Sequence, residues 1–231
     1  MKKIRDLVKY FSGFEIGLWS FSVIFIVASY FIFGGDGPLS LVASLIGVSG
    51  LILCAKGNPI GQVLIILFSV LYGIISWSFA YYGEMITYLG MTTPMAVFAL
   101  ISWVRNPYNG KRSEVKVNGI KLPEVLFMLA LSAVVTLIFF FILRSLGTAN
   151  LIPSTLSVTT SFIAVYLTLR RSPYHAVAYA LNDVVLILLW IFATAESSTY
   201  ISVVICFAIF LINDIYGFYS WMRRKARQEN S

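Results

Sequence analysis

Histidine occurs once in this 231-residue chain and cysteine twice, so there is little with which to build a metal centre. A zinc or similar site needs several Cys, His or carboxylate ligands converging on one point, and His175 stands alone. Cys54 and Cys206 both fall inside apolar runs, where they read as small buried hydrophobes rather than as a disulfide. Charge is scarce as well. Only 12% of the residues are Asp, Glu, Lys or Arg and 59% are hydrophobic; a soluble domain is about a quarter charged. This is therefore an integral membrane protein. Glycine-rich phosphate loops, zinc signatures and nucleophile–base–acid sets are missing too, so nothing local supports an enzyme or asks for a cofactor. The first segment also lacks the short apolar core and small-residue cleavage site of a secretory signal.

What is present is a series of long apolar runs. After a basic, amphipathic lead-in over residues 1–15, with Ile4, Leu7, Val8 and Phe11 at helical spacing, eight runs are each long enough to span a bilayer. They lie near residues 16–34, 38–55, 59–81, 85–104, 124–145, 150–169, 174–194 and 199–222. Turn chemistry separates them, as in Gly34-Gly35-Asp36-Gly37-Pro38, Gly57-Asn58-Pro59, Tyr82-Gly83-Glu84 and Arg171-Ser172-Pro173.

The net charge of +7 is one-sided. With eight spans, every Lys and Arg except Arg144 falls on one face, and Asp36, Glu84 and Glu196 fall on the other. The positive-inside rule then places both termini in the cytoplasm, and the excess charge marks topology rather than a nucleic-acid partner.

The chain also repeats itself. Pro59 and Pro173 each open a long run just after a basic residue, an offset that sets Ser69 against Asp183 and Ser76 against Trp190. The following runs close on Ser102-Trp103-Val104-Arg105 and Ser220-Trp221-Met222-Arg223-Arg224. Spans two to four and six to eight thus form two three-helix units, and the single linking span gives them the same orientation. Parallel repeats are a transporter plan, with the site near the midplane between the halves. The expected fold is all-α, divided into a lead-in and extra helix (1–37), a first unit (38–105), a basic loop and linker helix (106–148), a second unit (149–223) and a tail (224–231).

Against this apolar background a few polar residues stand out. An ionisable group near the bilayer centre costs roughly 3 kcal/mol on insertion scales and usually faces a bundle interior or wet cavity. Asn182 and Asp183 sit in the middle of span seven, and Tyr179, Asn182, Asp183, Leu186 and Trp190 share one helix face. A second pair, Asn213 and Asp214, lies in span eight near its basic end. Span three carries Gln62, Ser69, Tyr72 and Ser76 as one stripe, and span four carries Thr92-Thr93-Pro94, a hinge or a plain kink. Interhelical hydrogen bonding is the competing explanation for all of these. Ser154, Ser157, Thr160 and Ser161 in span six fit close helix packing, and Trp19, Trp103 and Trp221 fit an interfacial belt. Trp77 remains ambiguous, and His175 reads as interfacial.

The ordered set of Ala55-Lys56-Gly57-Asn58-Pro59-Ile60-Gly61, Tyr72, Tyr81-Tyr82-Gly83-Glu84-Met85, Asn182-Asp183 and Ile215-Tyr216-Gly217-Phe218-Tyr219-Ser220-Trp221 resembles the PnuC vitamin transporters, over residues 40–225. The resemblance implies two three-helix units with a linker, architecturally related to the SWEET sugar carriers, in a bacterial inner membrane. It also implies facilitated diffusion of nicotinamide riboside, trapped inside by a kinase, and hints at a homotrimer. Many members carry tryptophans three residues apart just before the Asn-Asp pair, where this chain has Ala176 and Tyr179. Relatives on the same fold carry thiamine or deoxynucleosides, which stand as alternatives. The expected substrate site is Asn182, Asp183, Tyr179, Trp190, Gln62, Ser69, Tyr72, Asn213 and Asp214. Its partners are a small cationic ring compound and membrane lipid. A non-transporting scaffold or signalling protein is the alternative from another class.

Overall fold

Proline and glycine decide where the helices begin and end. In the computed structural model, which describes residues 10–34, 37–78, 82–148, 150–194 and 198–230, eight helices among the described residues are long and apolar enough to cross a membrane. They are α1 (Gly13–Phe33), α2 (Pro38–Ala55), α3 (Pro59–Ser78), α4 (Tyr82–Arg105), α5 (Leu122–Ser145), α6 (Leu151–Leu169), α7 (His175–Thr194) and α8 (Ile201–Glu229). Asp36, Tyr81 and Glu196 lie outside the described residues, as does most of the amphipathic lead-in.

Three boundaries differ from expectation. Residues 13–15 already belong to α1, because Ser12 and Glu15 form a capping box: Glu15 N–H donates to Ser12 Oγ (3.2 Å) and Ser12 N–H to the Glu15 carboxylate (2.7 Å). The expected tail is helical to Glu229, where Gln228 reaches back to Val115 and Val117. The basic loop is no plain coil but a hairpin of β1 (Pro107–Tyr108) and β2 (Lys111–Val115). It turns on Asn109 and Gly110, both with positive φ, the Asn-Gly signature of a type I′ turn.

The repeat is visible in detail at the basic face. Gly57 (φ 65°) and Arg171 (φ 58°) take the same left-handed turn after α2 and α6. Gly57 N–H donates to the Cys54 carbonyl and Arg171 N–H to the Thr168 carbonyl; Asn58 and Ser172 N–H then reach back to Leu53 and Leu167. The connection between the units ties both turns down, with Val115 N–H on the Gly57 carbonyl and Asn118 N–H on the Arg171 carbonyl.

Between units, the first helix of each packs on the third helix of the other, α2 on α8 and α6 on α4. Trp103 Nε1–H donates to the Thr168 carbonyl (2.9 Å), and Trp221 Nε1–H to the Cys54 carbonyl (2.8 Å). Ser102 and Ser220 repeat the exchange on the Leu169 and Ala55 carbonyls, both at 2.8 Å. The two indoles are fully buried and touch, with ring centroids 5.3 Å apart. They are therefore not an interfacial belt, as their positions near span ends suggested, but a reciprocal cross-unit lock.

Outside the units, α1 is held by Lys56 Nζ on Glu15 (2.9 Å), Tyr216 Oη–H on Glu15 (2.9 Å) and Asn213 Nδ2–H on Ser22 (2.9 Å). Trp19, half-exposed, donates to Ser49.

Within the first unit, α2 and α3 touch backbone to backbone at Gly50 and Gly61. A Cβ on Gly61 would lie 2.6 Å from Cys54 N and 2.9 Å from the Gly50 carbonyl oxygen, atoms that cannot swing aside. Gly61→Ala is accordingly expected to destabilise the protein by about 1–3 kcal/mol, read as a lowered unfolding midpoint in detergent. An unchanged midpoint would contradict this packing.

Candidate functional site

The two units enclose a small cavity of about 80 Å³ directly inside the tryptophan lock. Its floor is His175, whose Nδ1–H donates to the Ser172 carbonyl (2.7 Å) and whose ring stands edge-on to Trp221 at 4.7 Å. His175 is buried, not interfacial; its closeness to a span end hid its position beneath the other unit.

The two walls are pseudo-equivalent but chemically different. From α3 come Gln62, Phe68 and Ser69, and from the matching turns of α7 come Tyr179, Asn182, Asp183 and Leu186. Phe207, Phe210 and Asp214 of α8 and Tyr88 of α4 complete the lining. Asp183 and Asp214 are in hydrogen-bonding contact, while Asp183 Oδ2 and Ser69 Oγ are buried without a hydrogen-bond partner among the described residues. Asn182 Oδ1 accepts from Thr160 (2.8 Å) and Ser161 (2.9 Å) of α6.

Six of the residues expected at a site thus line one cavity: Asn182, Asp183, Tyr179, Gln62, Ser69 and Asp214. Three do not. Trp190 lies one turn beyond Leu186, where the stripe continues but the cavity has closed, and its ring packs on Tyr200 at 5.3 Å. Tyr72 is likewise one turn too far out and packs behind the wall, 4.6 Å from Tyr88 and 5.6 Å from Phe68. Asn213 is rotated about 100° from Asp214, and its amide ties α8 to α1 through Ser22.

Residues outside that set also face the cavity. Ser161 and Thr92 line it, as do Tyr88 and His175. Tyr88 and Thr92 belong to a π-helical stretch, Thr87–Thr92, that precedes Pro94 inside α4. Such interruptions gather at functional sites, and Thr92-Thr93-Pro94 was its sequence trace. The aromatic surface comes from Phe68, Tyr88, Phe207 and Phe210, and from Tyr179. At 176 the chain has a buried alanine whose methyl lies close to Gly217, where an added Cβ would meet it at 3.6 Å.

A cavity with a few polar groups between two like-oriented helical units is the arrangement of a transport protein. The comparisons give the family. Residues 37–223 match the family described as nicotinamide mononucleotide transporter, and the chain belongs to it. It is 27% identical over 224 residues to the nicotinamide riboside transporter PnuC of Neisseria mucosa, covering 95% of this chain and 84% of that protein. To the nicotinamide riboside transporter PnuC of Haemophilus influenzae it is 22% identical over 223 residues, covering 95% and 94%. The crystal structure of a vitamin B3 transporter PnuC has the same fold, with a TM-score of 0.82 at 22% identity and 94% of each chain covered.

A buried carboxylate oxygen without a partner costs stability. Asp183→Asn keeps the shape and gives Asp214 an N–H donor. The variant is expected to reach the membrane, to lose transport, and to melt about 2–4 °C higher for each kcal/mol of relief. If Asp183 served only to tie helices together, the midpoint would fall instead.

Proposed function

We propose that this chain carries nicotinamide riboside by alternating access between its two three-helix units. One observation carries the reading. Among the described lining residues Asp183 and Asp214 are the acidic groups, aromatic rings share the lining with them, and no Lys or Arg joins them. A pyridinium ring is a permanent cation that aromatic faces and carboxylates both attract. A phosphate would meet two acidic side chains in a site where no Lys or Arg among the described residues could hold it, so the chemistry favours the riboside over its mononucleotide. The relatives named as nicotinamide riboside transporters support the same substrate.

The basic face lies in the cytoplasm of a bacterial inner membrane in this reading, as the positive-inside rule argues, and transport is uncoupled facilitated diffusion. The family resemblance adds a homotrimer, for which α5 offers an outward apolar surface that includes Phe127, Leu137 and Phe141. Thermal stabilisation of the purified protein discriminates the substrates. Nicotinamide riboside is expected to raise the midpoint, and nicotinamide mononucleotide and thymidine to leave it unmoved. A shift with thiamine alone overturns the assignment.

Release to the cytoplasm requires the Trp103–Trp221 lock to part, and Cys54 is a native reporter of that event. It lines the cavity, and its carbonyl is the Trp221 acceptor. In a Cys206→Ser background, a membrane-impermeant maleimide applied to the cytoplasmic side is expected to label Cys54 slowly. Trp221→Phe removes one hydrogen bond, worth about 1 kcal/mol, and is expected to speed labelling about fivefold. Unchanged labelling would place the gate elsewhere.

A further inference from the structure

Asn182 is able to accept through Oδ1 or to donate through Nδ2, and the end that faces the cavity decides what it selects. The assignment rests on where neighbouring protons go. Ser161 Oγ–H, 2.9 Å away, has Asn182 Oδ1 as its acceptor and no other among the described residues. Thr160 Oγ–H has the Leu156 and Ser157 carbonyls within 3.1 Å, but its shortest contact, 2.8 Å, is again Asn182 Oδ1. Two hydroxyl donors fill the two lone pairs of the amide oxygen. The Nδ2 end has no partner among the described residues, and Asn182 lines the cavity.

Gln62 on the opposite wall is arranged the other way round. Its Nε2–H donates to Cys54 Sγ (3.2 Å), which leaves Oε1 as the end available to a ligand. The cavity therefore offers a donor on α7 and an acceptor on α3, the complement of a primary carboxamide.

We infer that Thr160 and Ser161 are specificity-determining residues that hold Asn182 as a hydrogen-bond donor to the substrate, so that the carrier selects a ring cation bearing a carbonyl-type acceptor. Neither hydroxyl needs to touch the substrate; both act through the amide. This deepens the riboside reading and rests on it.

The test compares binding of three pyridinium ribosides to purified protein by isothermal titration. Nicotinamide riboside has both acceptor and donor, the 3-acetylpyridine riboside keeps only the acceptor, and the 3-aminopyridine riboside has only a donor. The acetyl compound is expected to bind better than the amino compound by about 10–100-fold, the penalty of burying an unpaired polar group. In Thr160→Val/Ser161→Ala the amide is free to turn, and the preference is expected to collapse to within about threefold. Thr160→Ser/Ser161→Thr keeps both hydroxyls and is expected to retain it. Equal binding of the two analogues by the native protein overturns the inference while leaving the riboside reading intact. An unchanged preference in the Val/Ala variant, with all ligands weakened alike, marks a merely structural role and overturns it too. Binding of none of the three ribosides overturns both.

Discussion

The last carbonyls of a helix have no partner within the helix, and in a membrane protein something must satisfy them. Here the answer sets the whole arrangement. The carbonyls that end α2 are taken by Ser220 and Trp221 of α8, and those that end α6 by Ser102 and Trp103 of α4. Each three-helix unit thus completes the hydrogen bonding of the other. This exchange fixes which helices cross between units and puts two indoles beneath the cavity. It also ties closure to an interaction that water is able to replace. Parting the units swaps four protein donors for hydration at a face that is already wet, so opening is a modest exchange rather than an unsatisfied loss.

The repeat supplies the scaffold, and its broken symmetry supplies the chemistry. Phe68 and Ser69 of α3 occupy the turn that Asn182 and Asp183 occupy in α7, and all four line the chamber. One unit thus offers a ring and a hydroxyl where the other offers an amide and a carboxylate. In the proposed reading a flat cation between them would meet a π-face on one side and an acidic group on the other, an arrangement that a symmetric dimer of either unit would not give.

How much of this was legible in the sequence follows from what the bilayer dictates. Lipid forces long apolar helices and one-sided basic charge, so the eight spans and the parallel repeat were readable to within a few residues. Helical periodicity gave the faces of α7 and α3 that line the cavity, but a stripe has no depth marker. Nothing in the spacing said that the chamber closes after Leu186, leaving Trp190 and Tyr72 outside. For the adjacent pair Asn213-Asp214, spacing did not say which residue turns inward. Span-end tryptophans look alike whether lipid or the other unit covers them, so Trp103, Trp221 and His175 read as interfacial. Thr160 and Ser161 were hidden because a hydroxyl used for helix packing and one used to orient an amide have the same sequence signature. The Asn109-Gly110 turn was readable, but it lies in a stretch that hydropathy treats as a gap.

Two carboxyls in contact within a bilayer-spanning bundle are a poor choice for stability, since replacement by apolar residues is often neutral or favourable. Ordinary interhelical ties in this protein use neutral groups: Asn213 with Ser22, Thr136 with Thr159. Where a charge pair does serve attachment, at Glu15 and Lys56, both signs are present. Asp183 and Asp214 break that pattern, because no Lys or Arg among the described residues lines their chamber. In the proposed reading the missing positive charge is that of the transported ring, held by a carboxyl pair and aromatic faces rather than by a covalent or chelating trap. An uncoupled carrier, as proposed here, would need that balance, with attraction enough to admit a cation into lipid depth and no more than the opening of the lock could release.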